Sequence, residues 1–151
     1  MINNKLIEIC AGSIEDCATA ELFPVDRIEL NSAIELGGLT PSVGTLIHAK
    51  QVTRLPLCCM VRPRTAGFVY TQHQFESMLF DAELLLENGA DGMILYPPAL
   101  STPQGDALVE YFKTITEAVD LPEPIPPVSP IICIIVIISL PLYHLFQLVP
   151  V

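Results

Sequence analysis

Basic residues are scarce in this chain: seven lysines and arginines stand against 17 acidic residues, a formal net charge of −10. Such a chain has no surface for neutralising phosphates, which speaks against nucleic acid as a partner. No two cysteines are spaced as CxxC, and the five at 10, 17, 58, 59 and 133 are odd in number. That pattern fits reduced thiols better than a disulfide framework. The amino-terminal MINNKLIEIC has no basic region followed by a long apolar run, so no secretory signal is read there and a cytoplasmic setting is expected. His48, His73 and His144 stand without ligand spacing and are read as surface or packing residues. Formal charge itself vanishes after Glu123.

What the chain has is apolar material, 51% against 16% charged residues over 151 positions, enough for one core. Its organising stretch is Asp26 to Ser42, DRIELNSAIELGGLTPS. Ile28 and Leu30 alternate with Arg27, Glu29 and Asn31, and side chains two apart on a strand share a face, so this strand has one apolar and one ionic side. Gly37 and Gly38 supply a turn that tolerates positive φ. Thr40-Pro41 reads as an N-cap with proline at the first helical position, predicting a helix from Pro41.

The same rhythm recurs. Lys5 to Cys10 alternates as a strand, and Ser13 with Asp16 reads as a capping box opening a helix to about Leu22. Leu57 to Arg62 reads as a third strand. Thr71 with Gln74 opens a long helix whose apolar positions keep helical spacing up to Asn88-Gly89. Asp91 to Tyr96 reads as a fourth strand, and a helix from Thr102-Pro103 to Val119 completes four βα units. Alternating strands and helices call for a parallel sheet, here half of an eight-stranded barrel or a small open sheet. The α/β (βα)4 unit occupies residues 1–121, a proline-rich linker 122–130 and an apolar tail 131–151. Residues 131–149 approach membrane-spanning length, so membrane association through them is one reading. A buried fifth strand rich in β-branched residues is another, and a spliced or frame-shifted end without evolved function a third.

Strand parity brings chemistry to one face. Glu8, Cys10, Arg27, Glu29, Asn31, Cys58, Met60 and Arg62 are expected to face the barrel axis, with Glu8 and Glu29 neutralising Arg27 and Arg62. Ligands of parallel α/β barrels sit at the carboxyl ends of strands. Arg62 and Arg64 could there fork a small anionic ligand, with Arg27 as a further cation. Glu8, Glu29 and Arg62 are the catalytic candidates. A buried ion-pair network that binds nothing is the alternative.

The segments LIEICAGSIEDC, DRIELNSAIELGGLTPS, LPLCCMVRPRTAGFVYTQHQFESML and ENGADGMIL resemble the CutC copper homeostasis family over residues 5 to about 95. The resemblance implies a partial TIM-barrel-like, cytoplasmic protein linked to copper, and copper ion, Cu(I), as its ligand. It implies copper-binding cysteines at the ends of the first two strands. Cys10 keeps one, Asn31 stands in place of the other, and Cys58 is the candidate substitute. Residues 89–122 also resemble the dihydrodipicolinate synthase and N-acetylneuraminate lyase family. That would imply a lyase- or aldolase-like enzyme acting on a small anionic substrate, although no lysine follows Lys113 for a Schiff base. A truncated, non-catalytic product is the remaining reading. Open sheet edges predict a homo-oligomer.

Overall fold

The computed structural model describes residues 6–96, Lys113, Thr114, Glu117, and the backbone of two short strands at 134–137 and 146–148. Strands β1 (Ile7–Ala11), β2 (Arg27–Leu30), β3 (Leu57–Met60) and β4 (Gly92–Ile94) alternate with helices α1 (Ile14–Ala20), α2 (Val43–Val52) and α3 (Gln72–Glu87). All four strands run parallel in the order β4-β3-β2-β1. The backbone of β5 (Ile134–Ile137) continues the sheet parallel to β1, and β6 (Phe146–Leu148) lies antiparallel to β5. The expected fourth helix lies outside the described residues except at positions 113, 114 and 117, which are helical. The expected linker and the anchor reading of the tail also lie outside them. Among the described residues no helix is long and apolar enough to cross a membrane.

The apolar parity rows set the layers. Ile9, Ala11, Ile28, Leu30, Leu57 and Cys59 point to the helices and pack with Cys17, Ala20, Leu46, Ala49 and Leu85. Burying each large aliphatic side chain contributes roughly 1.5–3 kcal/mol. Val61 joins Met78 and Ala82 of α3 in a second cluster. At Thr71 both bonds of the capping box form, and α3 stops at Asn88 followed by Gly89 with φ 95°.

Four local expectations are corrected. The helix expected from Pro41 begins at Val43, capped by Ser42, whose hydroxyl accepts the Thr45 N–H at 3.0 Å. Thr40 is no cap because its hydroxyl accepts the Arg62 backbone N–H at 2.9 Å. Between β2 and α2 the chain is more than a glycine turn. A single 3-10 turn, Ile34–Leu36, precedes Gly37 and Gly38, both at positive φ. At α1, Ser13 caps as expected, but Asp16 accepts the Gly12 N–H at 3.0 Å. The helix ends at Ala20, short of Leu22.

Candidate functional site on the inner sheet face

The other face of the sheet gathers the predicted site residues in rows. Glu8 is paired in register with Arg27, one row up Cys10 with Glu29, and Glu29 in turn with Cys58, which neighbours Gly92 of β4. Asn31 and Arg62 follow just past the ends of β2 and β3.

Arg27 Nε donates to Glu8 Oε2, and the carboxylate side chain is only 3% exposed. Glu29 is buried and accepts from Asn31 Nδ2 at 3.1 Å and from the Cys10 thiol. Burial pushes the Glu29 carboxyl above its ordinary range, opposed by the Asn31 bond and raised further by the nearby Glu8 charge. Cys10 and Cys58 are both partly buried free thiols on this face. Burial pushes the Cys58 thiol up, and the Arg27 charge pulls it partly back. The two other described cysteines belong to the core side, where burial raises Cys17 to about 11 and Cys59 to about 12.

The expected Arg62–carboxylate pair is not formed. Arg62 is buried, but its Nη1 donates to the carbonyls of Leu36 at 3.3 Å, Gly37 at 2.9 Å and Gly38 at 3.1 Å. The guanidinium also sits 4.7 Å from the Phe68 ring centroid. A glycine turn presents its carbonyls at close range, and they take the donors that a carboxylate was expected to take. The fork of two arginines is likewise not assembled. Arg64 donates to Thr65, Ala66 and Val69 carbonyls of its own loop and packs on Tyr70. Phe68 and the Gly37–Gly38 carbonyls were missed because their contacts with Arg62 join separate loops. The Glu29–Asn31 bond was legible, since residues two apart on a strand share a face.

Thiolates suit soft Cu(I), and the sheet register sets the Cys10 and Cys58 thiols on either side of Glu29 in one row. Strands spaced about 4.8 Å apart put their Cα atoms about 10 Å apart, too far for a disulfide. Among the described residues no three His, Cys, Asp or Glu side chains cluster as a metal centre.

A parallel sheet with helices on one face and ionic and thiol groups on the other defines a TIM-barrel-like α/β protein. The chain belongs to the CutC family, whose model matches residues 5–125. It is 54% identical over 93 residues to a CutC family protein of Treponema denticola, covering 62% of this chain and 38% of that one. It is 41% identical over 92 residues to the human protein named copper homeostasis protein cutC homolog, covering 61% and 34% of the two chains. The chain thus spans little more than a third of these curated relatives. A solved structure bearing the CutC name, from Streptococcus agalactiae, superposes with a TM-score of 0.66 at 25% identity, covering 77% of this chain and 55% of that one.

Proposed function

We propose that this chain serves copper homeostasis in the cytoplasm by holding Cu(I) on the inner face, with Cys10 as the principal ligand and Cys58 as the second soft donor. The observation behind this reading is the register that sets Cys10 and Cys58 on either side of Glu29. The names of its relatives support the copper role. Both ligands must lose protons to bind, so affinity should rise with pH, and the rise should persist until the raised Cys58 thiol has ionised. A reducing compartment keeps these thiols free. Asn31 is a poor ligand for a soft cation, and its amide is already engaged with Glu29.

The test is a Cu(I) competition titration against a chromophoric chelator on reduced protein. Cys10→Ser and Cys58→Ser should each weaken binding by roughly tenfold or more, and Asn31→Cys should strengthen it. Equal affinity in all four proteins would remove the site. Self-association belongs to the same reading, because β4 pairs only with β3 among the described residues and leaves an edge for a second copy. Sedimentation of reduced protein as monomer alone would count against it.

A further inference from the structure

Two buried polar atoms lack a hydrogen-bond partner among the described residues: Asn31 Oδ1 and Arg62 Nε. Their residues are 2% and 7% exposed, and one atom is an acceptor while the other is a donor. Neither side chain is free to turn and find a partner. The Asn31 amide is oriented by its Nδ2, which donates to the Glu29 carboxyl, and Arg62 is oriented by Nη1 on its three carbonyls. Both lie against the same turn. A β-carbon at Gly37 would stand 3.1 Å from Arg62 Nη1, and one at Gly38 would stand 2.3 Å from Asn31 Oδ1.

That turn hangs on a fixed neck. Ser32 and Leu39 exchange backbone bonds of 2.9 and 2.8 Å, and between them the chain passes through left-handed backbone at Ala33, Gly37 and Gly38. Leu36 at its outer end is 53% exposed. Arg62 also takes part in no ion pair among the described residues. A buried guanidinium facing neutral carbonyls, the Phe68 ring and the Tyr70 hydroxyl lacks a counter-charge among them.

We propose that the Ala33–Gly38 turn covers a binding site for a small hydroxycarboxylate, whose carboxylate accepts from Arg62 Nε while its hydroxyl donates to Asn31 Oδ1. The anionic group answers the unbalanced charge, and the hydroxyl supplies the missing donor. A simple carboxylate has no donor for Asn31, and a neutral alcohol can bond both atoms but brings no counter-charge to Arg62, whereas a hydroxycarboxylate supplies both. The position, at the carboxyl ends of adjacent parallel strands, is where α/β folds hold ligands. Because both atoms are buried, entry requires the turn to lift, with Gly37 and Gly38 absorbing the backbone change.

The experiment titrates the full, reduced, metal-free chain with glycolate, acetate and ethylene glycol, read by NMR. Glycolate should saturate and bind at least about tenfold more tightly than acetate, with no saturable binding of ethylene glycol. Hydrogen exchange at Leu36 to Gly38 should slow only with glycolate. Asn31→Ala should lower glycolate affinity to that of acetate while leaving acetate unchanged. Glycolate binding no more tightly than acetate, or failing to saturate, overturns the proposal, and this comparison needs no variant to fold. With copper absent throughout, either result leaves the thiol reading untouched.

Discussion

The same strands build both faces of the sheet, one residue apart, yet the two faces are held by different physics. Ile28, Leu30 and Leu57 are stabilised on the helix side by area removed from water, which depends on shape and little on pH. Glu8, Arg27 and Glu29 on the inner side are tolerated only because each charged group meets a partner. The helix side is closed, whereas the inner side keeps two unmet polar atoms and two thiols. Function is therefore sought on the face whose interactions are incomplete.

The contrast is sharpest at Arg27 and Leu57. Arg27→Met should cost about 3–5 kcal/mol at neutral pH, because it leaves the buried Glu8 carboxylate without its cation. Leu57→Ala should cost about 2–4 kcal/mol through lost contacts and a cavity. Urea unfolding of both variants at neutral pH makes the comparison. A loss for Arg27→Met well below about 3 kcal/mol would show that the inner face is not held by charge pairing.

Arg62→Met should cost less, about 1–2 kcal/mol. Its carbonyl partners are neutral, so no charge is stranded; those of Leu36 and Gly37 belong to exposed residues that can turn to water, and the Gly38 carbonyl is the buried one left short. The expected signature is local: hydrogen exchange should rise at Leu36 to Gly38 while α3 stays protected. A loss as large as that of Arg27→Met would mean that Arg62 has an ionic partner after all.

Much of this was legible because strand parity is a local property. The alternation in RIEL and LCCM set the faces correctly, and the Thr71–Gln74 spacing located a helix start whose two capping bonds both form. What failed depended on distant choices. Thr40 and Ser42 are both good N-caps by type, and only the Arg62 N–H, 22 residues away, decides against Thr40. Arg62 was correctly read as inward-facing, but its partner depends on how the Gly37–Gly38 turn folds back over β3. No spacing in the sequence reports that fold. For Arg64, carbonyls within five residues compete successfully with any distant anion.

The smallest expected effect is also the most specific to the inner face. Burial holds the Glu29 carboxyl above its ordinary 4.5, so the folded chain keeps a proton there that the unfolded chain releases. Its stabilising contribution is therefore complete below about 4.5 and is lost as pH rises through the raised value. Asp26 and Glu21 act in the opposite sense. The Ile7 N–H helps hold Asp26 low and the Thr53 hydroxyl holds Glu21 low, so their contributions fade on acidification. Glu29→Gln separates the two, because glutamine keeps an oxygen for the Asn31 amide and cannot ionise. Relative to the native chain, the variant should gain stability as pH rises from below about 4.5 through the raised value. The acid-side loss due to Asp26 and Glu21 should be unchanged. If the difference between variant and native chain is flat across that range, Glu29 is solvated, and the inner face is more open to water than the partnered, buried groups around it require.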